Sequence, residues 1–297
     1  MHVVGSEHVT AGEAPQGSET ALYVLVPCFN EEAAVTSTVE DVLRHARTLP
    51  LPVKLLLIDD GSTDRTRSLM EELCRENPEC SLLVNPRNLG VGRSILRAYE
   101  AIPPGSWVTA VPGDNEIEFR SIHGFVARRD EYDVILGYLQ NPVVRTIPRR
   151  LASFTFSKVV NSLYGFQWRY LNGLKLYRIE AFRDLEVLSG GHAFVAEMLA
   201  KAQLRQPHLR VGEAPFVARG RARGSSKAFR PLSVLRAVRE VFRGMRSVAR
   251  YRSAVIRGAE ARRVAEAGPD RAPTQAHPEA GAPDRRHRAS TDGDSGS

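Results

Sequence analysis

The stretch KLLLIDDGSTD, residues 54–64, decides the reading of this chain. Leu55, Leu56, Leu57 and Ile58 form an unbroken apolar run, the pattern of a strand covered on both faces in a parallel sheet. The run ends in two carboxylates, Asp59 and Asp60, with Gly61, Ser62, Thr63 and Asp64 behind them. Acids directly after a buried strand lie at the carboxyl edge of an open α/β sheet, where such folds bind ligands. Ser62, Thr63 and Asp64 offer N-cap side chains to the next helix. One capping residue is enough to start a helix, so the surplus points to a ligand site as well.

Working outward, the same grammar repeats. ALYVLVP (21–27) reads as a buried strand running into Cys28, Phe29, Asn30, Glu31 and Glu32. Residues 33–47 carry apolar side chains at helical spacing, and Pro50 and Pro52 close that helix. Residues 65–76 form a second helix, 81–84 a third strand, and NPRNLGVGRS leads into a helix through 101. Residues 106–111 make a fourth strand ending in PGDNEIE; a helix is expected over 117–129 and a fifth strand over 132–138. Short apolar strands alternating with longer helices predict βαβ units and a mainly parallel sheet flanked by helices. The second half is less regular. Helices are expected over 149–164 and 193–202, and strands over 174–177 and 209–217.

The composition of the 297 residues, 42% apolar and 25% charged, is that of a globular protein. A formal charge of +7 points to an anionic partner: a phosphorylated ligand, a membrane surface or nucleic acid. Three cysteines without a CxxC pair argue against a disulfide framework or zinc site and fit a reducing cytoplasm. Residues 1–20 lack the basic start and apolar core of a signal peptide, and no apolar run reaches membrane-spanning length.

Every strand end in the first half bears polar groups: Asn30 and Glu31, Asp59 and Asp60, Arg87 and Asn88, Asp114 and Glu116. Successive carboxyl edges let one cleft collect them. Converging carboxylates repel one another unless a cation or a hydrogen-bonding ligand intervenes, and a hard divalent cation bridging them to a diphosphate resolves the repulsion. A Walker-type phosphate loop is absent. Gly90-Val91-Gly92 opens a helix, so its amides are candidates for shaping the cleft.

VPCFNEE, IDDGSTD, RNLGVGRS and VPGDNE occur in the order and spacing of family-two inverting glycosyltransferases of GT-A fold. GLKLYR, FVAEML and RGSSK resemble the dolichyl- or polyprenyl-phosphate mannosyl- and glucosyltransferase branch of that family. The resemblance implies donor contacts from Pro27, Phe29, Glu31 and Asp59 or Asp60, with Asp114 binding metal and sugar diphosphate and Glu116 as a further metal ligand. Two residues before Asp114 the family commonly has another Asp; here it is Pro112, which bears on the number of metal ligands and not on their location. Gly224, Ser226 and Lys227 match a diphosphate-binding RxxGxSK motif whose arginine is Arg221, with Arg221 also toward the acceptor phosphate. The loop RGRARGSSK (219–227) has the cationic, hydroxyl-bearing chemistry that suits phosphates. Arg149 and Arg150 are candidates for the acceptor phosphate. Glu197, alone among apolar neighbours on its helix, must be exposed, paired or functional. It is a general base if the acceptor is a hydroxyl, and an orienting group if the acceptor is an already ionised phosphate.

The implied enzyme moves a sugar from a nucleotide-diphosphate donor to a polyprenyl phosphate with Mg²⁺ or Mn²⁺. Transfer to a soluble hydroxyl is the second reading, and a non-catalytic nucleotide-sugar-binding module the third. The expected organisation is a disordered tail (1–20), a GT-A domain (21–230), a basic amphipathic helical segment (231–264) and a disordered tail (265–297). In that helix Leu235, Val238, Phe242, Met245 and Val248 recur at intervals of three and four, with Arg236, Arg239, Arg243, Arg246 and Arg250 around them. It packs on the domain, binds nucleic acid, or lies on an anionic membrane. Nucleic acid is the least favoured, because no recognised binding module accompanies the charge.

Overall fold

The computed structural model describes residues 20–144, 147–191, 193–219 and 231–267. Seven strands form one sheet in the order β3-β2-β1-β4-β6-β5-β7. They are β1 (Leu22–Cys28), β2 (Val53–Asp59), β3 (Cys80–Val84), β4 (Trp107–Ala110), β5 (Val134–Leu139), β6 (Lys175–Arg178) and β7 (Val211–Phe216). β1 pairs in parallel with β2 and β4, β2 with β3, and β5 with β7. β6 is the exception, antiparallel to both β4 and β5. The sheet is therefore mixed around a parallel majority.

Helices cover both faces: α1 (Val35–Ala46), α2 (Thr66–Glu76), α3 (Val91–Tyr99), α4 (Ile122–Val126), α5 (Ile147–Tyr164), α6 (Ile179–Phe182), α7 (Phe194–Arg205) and α8 (Pro231–Ala267). The unbroken apolar runs arise because alternate side chains enter different cores. Leu55 and Leu57 join α1 and α2 on one face, whereas Leu56 and Ile58 join α3 and α7 on the other. Truncating Leu57, fully buried, would cost about 2–5 kcal/mol.

The helix expected over 117–129 is mostly replaced by a 3₁₀ turn, Phe119–Ser121, and the short α4. The cause lies in the backbone: Ile117 bridges Ala218, Glu118 N–H donates to the Val217 carbonyl, and Arg219 N–H donates to that of Glu116. Strand-like pairing here takes the groups a helix would need.

α8 differs from its expected apolar stripe. Val241, Gly244 and Ser247 are buried and Met245 and Tyr251 pack on the core, whereas Val238 and Phe242 are left exposed. A side chain at Gly244 would place Cβ 2.4 Å from the Tyr164 hydroxyl, so a glycine lets the helix approach on this face. Residues through Ile256 fall in one compact unit with the sheet. α8 continues to Ala267, past the expected end at 264.

Candidate active site

Four parallel strands end at one level. Cys28 lies in register with Asp59, Asp60 N–H donates to the Cys28 carbonyl, Asn85 N–H to that of Asp59, and Gly113 N–H to that of Pro27. Pro27, Phe29, Glu31, Asp59, Asp60, Asp114 and Glu116 thus come to a single carboxyl edge, with Phe29 exposed on it. Two glycines permit the closeness. A Cβ at Gly113 would lie 2.1 Å from Cys28 Sγ, and one at Gly61, whose φ is +72°, would lie 2.5 Å from the Arg87 backbone.

The turns are cross-tied. Asn30 takes a positive φ of 55°, its N–H donates to Ser62 Oγ, and its Oδ1 accepts the Thr63 N–H at 2.8 Å. Asp64 Oδ1 accepts the Thr66 N–H at 2.9 Å, starting α2, while Oδ2 accepts the Glu32 N–H. Of the three expected caps, Asp64 serves the helix; Ser62 and Thr63 serve the neighbouring strand end.

The adjacent acids separate. Asp60 is buried and accepts from Asn85 Nδ2, Ser94 Oγ, Leu89 N–H and Gly90 N–H, all within 2.9 Å. It fastens β2 and β3 to the start of α3, where an anion is favoured. The Gly90 amide expected to shape the cleft is therefore engaged by Asp60. Asp59, also buried, accepts the Ser62 N–H at 3.0 Å. Asn85, Ser94 and Arg97, which donates to Asn85 Oδ1 and the Val84 carbonyl, complete this unforeseen network.

Asp114 is half-buried and Glu116 buried, with Glu116 N–H donating to Asp114 Oδ1 at 3.1 Å. Between them Asn115 takes φ 54°, and its Oδ1 accepts from Arg219. Arg219 also pairs at 2.9 Å with Asp41, a buried acid on the inner side of α1 that accepts the Phe119 N–H too. Arg219 is thus committed to the fold, and it fastens the start of the RGRARGSSK segment onto residues 115–117. The sequence pattern does not single out Asp41, which stands beside Glu40 between Val39 and Val42.

The edge is strongly negative. Cys28 sits beneath it, and burial first, then the charges of Glu31, Asp59, Asp114 and Asp64, push its thiol far above the ordinary range. Among the described residues no three His, Cys, Asp or Glu side chains form a cage for an ion. Asp114 and Glu116 do suit a hard cation that takes its other ligands from a diphosphate and water, the usual manner of Mg²⁺.

Glu197 has no solvent exposure. Its Oε1 accepts from Lys201 Nζ at 2.8 Å and Leu188 N–H at 3.0 Å; its Oε2 accepts from Ser189 N–H at 2.8 Å and Ser189 Oγ at 2.5 Å. Burial pushes its pKa up, but the bonds from Lys201, Ser189, Ser247 and Leu188 outweigh it and hold the carboxyl below its usual value. Lys201 reaches Ser247 of α8, and Glu240 of α8 accepts the Gly190 N–H. Arg150 is exposed at the start of α5; the side chain of Arg149, and Arg221, Gly224, Ser226 and Lys227, lie outside the described residues.

Residues 23–186 match the family described as Glycosyl transferase family 2. The chain belongs to glycosyl transferase family 2. A dodecaprenyl-phosphate galacturonate synthase of Rhizobium johnstonii is 26% identical over 210 residues, covering 69% of this chain and 61% of that protein. An undecaprenyl-phosphate 4-deoxy-4-formamido-L-arabinose transferase of Proteus mirabilis is 28% identical over 115 residues, 38% of this chain and 35% of that one. The chain therefore spans less than two thirds of the length of these relatives. Glucosyl-3-phosphoglycerate synthase of Mycobacterium tuberculosis, solved with Mn²⁺, UDP-glucose and phosphoglyceric acid, superposes with a TM-score of 0.57 at 18% identity, covering 78% of this chain and 80% of that one. That likeness shows the fold, and the GT-A architecture expected from the sequence is the one found.

Proposed function

We propose that this family-two protein is an inverting glycosyltransferase that moves a sugar from a nucleotide-diphosphate donor to a polyprenyl phosphate. The observation that carries the reading is the convergence of Glu31, Asp59, Asp114 and Glu116 on one edge, with Arg219 bonded to Asn115 and Ile117 of that same edge. Polyprenyl phosphates also appear in the names of the relatives just described.

Pro27, Phe29, Glu31 and Asp59 grip the nucleoside, Phe29 offering a face at the rim. Asp60 takes no part in recognition; it holds Asp59 and the start of α3 in place. Asp114 and Glu116 would hold Mg²⁺ or Mn²⁺, which would supply positive charge at the departing diphosphate. Arg221, Gly224, Ser226 and Lys227 are assigned to the diphosphate, and Arg149 and Arg150 to the acceptor phosphate. The phosphate oxygen forms its bond to the anomeric carbon from the opposite face as the bond to the nucleoside diphosphate breaks and its electron pair leaves with the diphosphate.

An ionised phosphate needs no base, and Glu197 is poorly suited to be one. It is buried, already accepts four hydrogen bonds and has a lowered pKa. Its place is that of a positioning residue, tying the 186–190 loop to α7 and, through Lys201, to α8. Incubation with a panel of nucleotide sugars, Mn²⁺ and detergent-dispersed polyprenyl phosphate tests the reading. The expected product is an organic-extractable sugar-phospholipid with inverted anomeric configuration. Product on soluble hydroxyl acceptors alone would overturn the choice of acceptor.

A further inference from the structure

Helix α5 leaves several large apolar side chains in solvent. Ile147, Leu151 and Phe154 are 76%, 64% and 61% exposed, and their spacing of four and three places them on one ridge. The opposite side is anchored, with Ser157 and Val160 buried and Phe156 packed on the core. Lys158 continues the exposed ridge with its ammonium 5.6 Å from the Phe154 ring centre, and Arg150 is exposed beside it. A solvated helix face normally carries polar residues, so an apolar ridge flanked by cations calls for a partner.

Helix α8 carries a complementary feature. Arg239, Arg243, Arg246 and Arg250 line a groove of about 550 Å³ together with Leu188 and Phe242, both substantially exposed. Four guanidinium groups at helical spacing repel one another. Among the described residues only Arg243 has a carboxylate partner, Glu240 at 3.6 Å, and Glu240 is shared with the Gly190 amide. Arginines that stand uncompensated among exposed apolar side chains match a surface that is both anionic and oily. A soluble polyanion has no use for Ile147, Leu151 and Phe154, and a neutral bilayer has none for four arginines.

We propose that the chain docks on an anionic phospholipid bilayer, the α5 ridge entering the boundary between headgroups and acyl chains and the α8 arginines meeting headgroup phosphates. No described helix is long and apolar enough to cross a membrane; the docking proposed for α5 and α8 lies in the plane of the surface. α5 follows β5 at the carboxyl edge that holds the candidate site, where a lipid-borne acceptor would have to arrive. Only this last point rests on the transferase reading.

Co-sedimentation of the full chain with phosphatidylcholine vesicles, with and without phosphatidylglycerol, tests the docking at low and high salt. The wild type is expected to bind the anionic vesicles and to be released by salt. Leu151→Asp/Phe154→Asp should bind at least ~10-fold more weakly, and Arg239→Glu/Arg246→Glu/Arg250→Glu on the order of 100-fold more weakly, at roughly one headgroup contact per arginine. All are surface positions, so melting temperature and circular dichroism should match the wild type. No vesicle binding, equal binding to neutral and anionic vesicles, unchanged binding by both variants, or tighter binding to heparin or single-stranded DNA than to vesicles would each overturn the proposal. Turnover with a short, water-soluble acceptor should be unchanged in both variants. If wild type shows no turnover yet still binds vesicles, the transferase reading fails and the docking stands.

Discussion

Glu197→Gln separates a positioning role from a catalytic one because the structure sets its cost. The substituted amide would face Lys201 Nζ and Leu188 N–H on one side and Ser189 N–H and Oγ on the other, all of them donors. Whichever way the amide turns, its NH₂ meets donors, and the buried Lys201 ammonium loses its counter-charge. Breaking a buried pair from one side costs about 3–5 kcal/mol, a drop in melting temperature of roughly 6–20 °C. Replacing both partners as Glu197→Gln/Lys201→Met should cost less than the sum of the single changes by at least ~1 kcal/mol. Because the Glu197 pKa is lowered in the fold, its contribution is present above the unfolded carboxylate value of about 4.3 and is lost as pH falls through the folded value. The penalty of the Gln variant should therefore be full at neutral pH and shrink below about pH 4. Urea unfolding of the four proteins across pH provides the cycle. A Gln variant as stable as wild type but devoid of turnover would refute the positioning role and restore the general base.

Asp60→Asn leaves an amide where four donors converge, and should lower stability by about 2–3 kcal/mol in urea titration. A neutral outcome would show that Asp60 is not the fastening between β2, β3 and α3. Arg219→Ala removes the clasp between Asp41, Asn115 and the loop, and should raise the donor KM about tenfold, one charge-assisted hydrogen bond's worth; an unchanged KM would detach that loop from donor binding. Burial and, secondarily, Glu71 push Cys74 to about 11, while burial, Cys74 and Glu79 push Cys80 to about 12, and Cys28 lies higher still. Thiol-specific labelling of the native protein should thus be slow at pH 8 and rise only as pH approaches 11; rapid labelling of all three at pH 8 would contradict their burial.

The parallel core was legible because a doubly covered strand must be apolar throughout, as in Leu55–Ile58, and because its terminal acids have nowhere else to lie. Direction was not: LKLY reads alike whether it runs with or against its neighbours, so the reversal of β6 had no signature. The site's location was legible, but the division of labour within it was not. Asp59 and Asp60 are indistinguishable until Asn85, Ser94 and the Leu89 and Gly90 amides are seen to converge on one of them. Glu197 and Lys201 stand four apart on one helix, a readable pairing, yet their hydrogen bonding also draws on Ser189 from the loop before that helix and on Ser247 from distant α8. The packed face of α8 was misread because Gly244 and Ser247, which allow the close approach, do not count as apolar.

Metal-dependent sugar transfer by wild type and Asp114→Asn, with a polyprenyl phosphate acceptor and saturating donor, tests the central claim most directly. The expected outcome is turnover that chelation abolishes and Mn²⁺ or Mg²⁺ restores, and that falls by about 100-fold or more in Asp114→Asn with the fold intact. Equal turnover in the two proteins, or background activity in both, would contradict the assignment of the negative edge at Asp114 as the donor-diphosphate centre.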